Sequence, residues 1–322
     1  MREYVKFGIL GTARINQRVA PAIKSSHITR LIGVASRKLS RAEQAAKEFG
    51  AVKSFGSYEE MLASDEIDAV YIPLPNSLHA EWSVKAAEAG KHVLCEKPIA
   101  SNSIEAEMVM KACERHEVLL MEAFMYRHHP QHAKIKEIIS SGRVGDPRIV
   151  NTRFTFYLEP SENIRWKRDL SGGALMDIGC YCINVARFIF GAEPKSAKAI
   201  RRYDDKRGVD ITTLGLLEFP ENRFSSFTCS LLMPGANRYE VIGTKGSIEV
   251  STAFVPGKAN VVLTVRDGSG IEEIIIPGVD QYRLEVEHFS QCILEGTALR
   301  NPAENGLANM RAIDTVREAF EK

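Results

Sequence analysis

No run in this 322-residue chain approaches the roughly 18 consecutive apolar residues that a membrane-spanning helix requires. Repeats and low-complexity linkers are also missing, which excludes solenoids and flexible tethers. Neither sign of charge is in excess. Lys+Arg 42 against Asp+Glu 41 leaves a formal net charge of +1, so no global field draws the chain to nucleic acid or an anionic membrane. An anionic ligand therefore has to be held by a local site. The six cysteines, at positions 95, 113, 180, 182, 229 and 292, lack the spacing of a zinc or redox pair. Cys180 and Cys182 are separated by a single residue, too close for either. The opening MREYVKFGIL has no long apolar core before its first glycine and is not expected to act as a secretory leader. A reducing, cytoplasmic setting is the expectation.

The length predicts two domains rather than one core. Residues 5–10, 29–35, 69–72, 92–95 and 118–122 read as short apolar strands, and helical patterns occupy 14–25, 40–49, 77–89 and 103–116 between them. Gly50 stops the second helix at its C′ position, and Ser57 with Glu60 forms a capping box for a short one. Buried strands alternating with helices give a doubly wound α/β fold with a parallel sheet, whose ligand crevice lies at the strand carboxyl ends. After about residue 125 the pattern changes. A helix near 131–140, an extended stretch at 148–157 and a long helix at 174–190 precede strand candidates at 196–203, 211–219, 223–232, 239–242, 247–250, 260–266 and 271–276. Turn residues separate these strands, as in a large, mostly antiparallel open sheet. Helices at 281–294 and 303–321 finish the chain. The expected division is a Rossmann domain at 1–124 and an α+β domain at 125–322 for substrate and oligomerisation, with the terminal helix free to pack back on the first domain.

The first strand runs into Gly11-Thr12-Ala13-Arg14-Ile15-Asn16 and then a helix. A dinucleotide fingerprint wants Gly-x-Gly-x-x-Gly/Ala here, because a pyrophosphate sits on the helix N-terminal amides. Gly11 fills the tight-turn position, Ala13 replaces the second glycine and Asn16 the third small residue. A plain turn before a helix also explains Gly11, but its place in the first strand–helix unit favours the cofactor. The second strand ends Ser36-Arg37-Lys38, where an NAD enzyme usually carries an acidic residue for the ribose 2′-hydroxyl. A hydroxyl and two cations suit a 2′-phosphate, so NADP is expected over NAD. The plainer alternative is a solvated loop end.

Cys95-Glu96-Lys97-Pro98 follows a strand, and Pro73-Leu74-Pro75-Asn76 with His79 follows the strand before it. Later, Arg165-Trp166 precedes Gly172-Gly173-Ala174-Leu175-Met176-Asp177-Ile178-Gly179-Cys180-Tyr181, and Ile242-Gly243-Thr244-Lys245-Gly246 forms a hairpin. In this conjunction the chain resembles the Gfo/Idh/MocA oxidoreductase family over nearly its whole length. The Ala13 loop and the Asp177–Tyr181 element are most similar to its dimeric dihydrodiol dehydrogenases and NADP-linked aldose dehydrogenases; inositol dehydrogenases carry His at the Tyr181 position. The resemblance implies that Lys97, Tyr181 and Asp177 form the catalytic group beside the nicotinamide. It also implies that Pro73, Leu74, Asn76, His79, Glu96, Arg165 and Trp166 serve cofactor binding, together with the phosphate loop, and that sheet faces pair into a homodimer or homotetramer.

Hydride transfer at a carbinol carbon obliges a proton to leave or join its oxygen. An unperturbed tyrosine, with a pKa of about 10, is a poor base at neutral pH, and a neighbouring lysine ammonium favours its phenolate. Asp177 and Tyr181, four apart, are expected to share a helix face, where Asp177 holds substrate hydroxyls or orients Lys97. Each residue has a plainer reading: Lys97 a solvated turn, Asp177 a helix-end partner, Tyr181 a buried amphipathic side chain. His128-His129-x-x-His132 carries no carboxylate or cysteine in register and reads as structural, with no metal expected. The expected function is an NAD(P)-dependent dehydrogenase or reductase acting on a sugar, polyol or vicinal diol. A nucleotide-sensing regulator and an NAD-retaining glycosidase of the same fold are the alternatives.

Overall fold

Strands that are apolar on both faces are buried only when helices cover both sides, and the first half of the chain is built that way. The computed structural model describes residues 3–321. Strands β1 (Val5–Leu10), β2 (Thr29–Ala35), β3 (Lys53–Phe55), β4 (Ala69–Ile72), β5 (His92–Glu96) and β6 (Leu120–Ala123) pair in parallel in the order β3-β2-β1-β4-β5-β6. Helices α1 (Asn16–Ser25), α2 (Leu39–Phe49), α3 (Tyr58–Leu62), α4 (His79–Glu88) and α5 (Ser103–Arg115) connect them. The strand order reverses at β1, so the carboxyl ends of β1 and β4 flank the topological switch point where this class of sheet binds ligands. Local signals act as expected. Gly50 caps α2 in the left-handed conformation, and the Ser57 hydroxyl accepts from the Glu60 amide at 3.0 Å.

Past residue 125 come α6 (Pro130–Ser140), β7 (Pro147–Tyr157), a π-turn at Leu175–Gly179 that leads into α7 (Cys180–Phe190), and then β8 (Ser196–Asp204), β9 (Val209–Phe219), β10 (Arg223–Ser230), β11 (Leu232–Gly243), β12 (Ser247–Val250), β13 (Val261–Asp267) and β14 (Gly270–Ile276). The eight strands order as β14-β13-β12-β11-β7-β10-β9-β8, antiparallel except for β10 against β7. The long helix expected at 174–190 is thus two elements. The stretch Arg168–Phe190 does have the length and mean hydropathy, 1.3, of a membrane span, but 94% of that window is buried as protein core.

The chain divides into two compact units, Met1–Met125 with Gln281–Leu307, and Tyr126–Asp280 with Ala308–Lys322. The first unit therefore takes a late segment that the sequence assigned to the second domain. Its helix α8 (Gln281–Glu295) packs on α1 and β1, burying Val286 and Phe289 among Phe7, Ile9 and Tyr71, with the Phe7 and Phe289 rings 6.3 Å apart. Helix α9 (Ala303–Glu318) spans the division.

Candidate active site

Three neighbouring strands of the first unit, β1, β4 and β5, end in loops that carry the sequence-predicted cofactor residues. After β1, Gly11 takes φ +111°, and a Cβ there would stand 2.9 Å from the Leu74 side chain. Glycine satisfies both constraints at once. The loop then enters α1 through a turn in which the Asn16, Gln17 and Arg18 amides donate to the Ala13, Arg14 and Ile15 carbonyls at 2.8–3.2 Å, and the positive end of the helix dipole faces that loop. Asn16, which replaces the small residue of the fingerprint, is fully buried, and its Nδ2 donates to the Gly11 carbonyl at 2.9 Å. The Asn16 side chain thus fastens the turn. Thr12 and Arg14 are exposed and Ala13 and Ile15 half-buried.

Behind the turn, Tyr58 meets Trp82 edge-on at 4.7 Å. Its hydroxyl lies 3.7 Å from the same hypothetical Cβ on Gly11. Burial raises the Tyr58 pKa, and the Arg37 charge pulls it the other way. Ser36 is buried, while Arg37 and Lys38 are exposed.

The loops after β4 and β5 are tied together by His79. Its ring nitrogens lie 2.7 Å from the Leu74 and Pro98 carbonyl oxygens, and the imidazole has no exposed surface. His79 thus links the loop bearing Asn76 to the one bearing Lys97. Both of those residues are half-buried. Glu96 accepts from the Tyr71 hydroxyl at 2.6 Å, and the Ile99 amide donates to Glu122 Oε1 at 2.9 Å, so the Glu96-Lys97-Pro98 turn is fixed on both flanks. The Lys97–Pro98 peptide is cis.

The second unit holds the remaining predicted residues. Arg165 and Trp166, expected at the cofactor, precede the Gly172-Gly173 turn; Trp166 is buried, and the Arg165 Nε donates to Asp177 Oδ2 at 2.5 Å. The Gly173 amide donates to the Arg165 carbonyl at 2.9 Å, and the Gly173 carbonyl accepts from the Asp177 amide at 3.1 Å. The turn thereby aligns both ends of the ion pair. Asp177 sits in the π-turn and not in the regular helix expected for it, and a π-turn carries more residues per turn than an α-helix. The four-residue spacing to Tyr181 therefore does not carry the α-helical shared-face argument. The Tyr181 ring packs against Phe154 at 5.4 Å, Phe254 at 5.3 Å and Tyr126 at 5.8 Å.

The histidine cluster belongs to the same unit and is engaged structurally. His129 caps α6, accepting from the Gln131 amide at 3.3 Å. His132 is fully buried, with Nδ1 3.0 Å from the Tyr239 hydroxyl and Nε2 3.2 Å from the Ala253 carbonyl. That pattern suits a neutral ring protonated at Nε2. Burial pushes His132 down to about 3 and His79 to about 4. In the unfolded chain both return to about 6.5, so between pH 6.5 and those folded values the unfolded state binds more protons. Stability is accordingly lost as pH falls through that window, by about 1.4 kcal/mol per pH unit for each histidine. Thermal melts from pH 7 to 4 should show a falling Tm, and His132→Gln should flatten the slope; an unchanged slope refutes the assignment.

A glycine turn at the positive end of α1, set in a sheet ordered β3-β2-β1-β4-β5-β6, defines a dinucleotide-binding protein of the Rossmann class. The chain belongs to the Gfo/Idh/MocA oxidoreductase family. The model described as the oxidoreductase family's NAD-binding Rossmann fold matches residues 5–124, and the GFO/IDH/MocA C-terminal domain matches residues 132–249. A D-xylose 1-dehydrogenase (NADP(+)) of Haloferax volcanii is 39% identical over 98% of this chain and 97% of its own length. A trans-1,2-dihydrobenzene-1,2-diol dehydrogenase of Xenopus laevis is 29% identical over 98% and 97%. These are the two branches that the sequence resembles. A 3-ketoreductase from Actinomadura kijaniata, solved with NADP and TDP-benzene, superposes with a TM-score of 0.93 at 32% identity, covering 98% of each chain. The protein is an oxidoreductase of sugar-type groups.

Proposed function

We propose that the protein transfers a hydride between NADP(H) and a sugar, polyol or vicinal-diol carbon, with Lys97 and Tyr181 moving the accompanying proton and Asp177 holding substrate hydroxyls. The observation that carries this reading is the convergence of the Gly11 turn, the Asn76 loop and Lys97 at the carboxyl ends of three adjacent strands. Gly11, Thr12, Ala13, Arg14 and Ile15 would hold the pyrophosphate, Ser36, Arg37 and Lys38 the 2′-phosphate, and Pro73, Leu74, Asn76, Glu96 and Lys97 the nicotinamide side. Arg165 and Trp166 would border the same cofactor. The cofactor, when bound, supplies or accepts the hydride. The lysine ammonium lowers the cost of the phenolate, which lets the tyrosine exchange a proton with the substrate oxygen.

Relatives support the reading. The Actinomadura 3-ketoreductase has also been solved with one lysine replaced by alanine or glutamate and with one tyrosine replaced by phenylalanine. Those two positions stand the same distance apart in sequence as Lys97 and Tyr181. The six cysteines, all free and buried, agree with a reducing cytoplasm. The test is an absorbance screen of NADP and NADPH against aldoses, polyols and diketones. Turnover with one of these classes is expected. Tight NADP binding without turnover of any would replace the reading with a nucleotide-sensing regulator.

The eight-stranded sheet supports the assembly proposed for this protein, a homodimer or homotetramer. Ile149 on β7 pairs with Phe224 on β10, and Ile200 on β8 with Leu214 on β9; all four are exposed, and Leu216 is exposed beside them. Exposed apolar side chains gathered on one sheet face, here interspersed with Glu218, Ser226 and Lys198, are the kind of surface that an oligomer covers. Light scattering at micromolar concentration should give two or four times the 35.8 kDa chain mass, and Leu216→Glu should shift it toward one. A monomeric wild-type protein refutes the assembly.

A further inference from the structure

We infer that Asp210 is the positioning residue of the substrate half of the site, holding the π-turn so that Asp177 faces Arg165. The inference rests on the proposed function only for its kinetic readout. Asp210 stands near the start of β9 and is 8% exposed. Its Oδ2 accepts from the Leu175 amide at 2.8 Å, the first residue of the π-turn, and from the Thr213 hydroxyl at 2.7 Å. A carboxylate so placed satisfies an amide that the turn leaves open and sits at the positive end of its dipole. On the other side, Oδ1 occupies the space where a side chain on residue 173 would be: a Cβ on Gly173 would lie 2.2 Å from it, and Gly173 has φ +108°. Glycine is required there by conformation and by contact alike.

Gly173 is also the backbone hinge of the ion pair, since its amide holds the Arg165 carbonyl and its carbonyl holds the Asp177 amide. Its neighbour Gly172 leaves no room either, a Cβ there falling 2.5 Å from the Arg165 carbonyl oxygen. Asp210 therefore fixes, through Leu175 and Gly173, the backbone on which both partners of the 2.5 Å Arg165–Asp177 pair depend. Burial raises the Asp210 carboxyl pKa, while the Thr213 hydroxyl and the Leu175 amide favour its ionised form. Sequence alone could not find it, because Leu175 lies 35 residues away in an element that itself departs from the expected helix.

The experiment compares Asp210→Ala, Asp210→Asn and wild-type holoenzyme by two readouts. Misplacing groups at a reacting centre by about 1 Å costs on the order of 10²-fold. Asp210→Ala should therefore lower kcat/KM on that scale, with NADPH affinity within about twofold, because the phosphate turn belongs to the other unit. Asparagine keeps an oxygen able to accept from Leu175 and Thr213, so Asp210→Asn should recover most of the rate. By hydrogen–deuterium exchange, the amides of Leu175 to Gly179 should exchange faster in Asp210→Ala and at the wild-type rate in Asp210→Asn. This second readout needs no turnover, so it decides the inference even if no sugar is oxidised or reduced. Wild-type exchange of the π-turn in Asp210→Ala overturns it, as does equal loss in the alanine and asparagine variants. Should the alanine variant fail to fold, Asp210→Ser, which also removes the carboxylate, carries the same comparison.

Discussion

Tyr181→Phe is expected to lower kcat by about 10² to 10⁴, the usual effect of removing a general acid–base group, while NADPH affinity hardly changes. The phenylalanine ring keeps the packing against Phe154 and Phe254, so the loss isolates the hydroxyl. Lys97→Ala should cost at least as much, and the double variant should be little worse than the worse single one, because groups that act together are non-additive. A purely structural role predicts a lower Tm with activity falling only in proportion to folded protein. Full activity in a folded Tyr181→Phe variant defeats the assignment and leaves the proton to Lys97 or to a substrate-bound water.

Arg37→Asp should reverse the cofactor preference. Hydrogen bonds to a charged group contribute about 1.5–3 kcal/mol each, so losing the 2′-phosphate contact should weaken NADPH binding by about 10- to 100-fold. The new carboxylate repels that phosphate and accepts from an unphosphorylated ribose, as the acidic residue of NAD enzymes does. Arg37 is exposed at the end of β2, the strand end whose residue meets the ribose in this fold, and its charge favours the Tyr58 phenolate beside the Gly11 turn. Fluorescence titration with NADPH and NADH measures the switch. Equal affinity for the two cofactors in the starting protein removes its basis.

Of the residues these predictions use, Arg37 and Lys97 carry local signals in the sequence, whereas the role of Tyr181 is implied only by the family resemblance. A glycine directly after an apolar strand, cations at the end of the next and a lysine leaving another are readable without knowing what they face. The parallel sheet was legible for a similar reason: strands such as Ala69–Ile72 are apolar at every position and buried at every position. What stayed hidden depends on distant partners. Helix α8 joins the first unit by filling a gap over β1 and α1 with Val286 and Phe289, and nothing in its own amphipathic pattern names that partner. The partners of His79 were hidden too, since its ring meets two carbonyls 5 and 19 positions away. The break in the helix at Leu175–Gly179 has its first amide bonded to Asp210, 35 residues on from Leu175.

That break places the segment ahead of it out of step with the helix behind. An α-helix advances about 100° per residue, and a π-turn, closed by i→i+5 bonds, holds more residues in its turn than the α-helix behind it. Removing one residue between Asp177 and α7 would therefore bring Asp177 one position closer to that helix and turn its side chain by about 100° around the helix axis. The carboxylate of Asp177 would be carried away from Arg165 with no change in composition or hydrophobicity. Side-chain aim in this half of the molecule is thus set by a count of residues as much as by their kind.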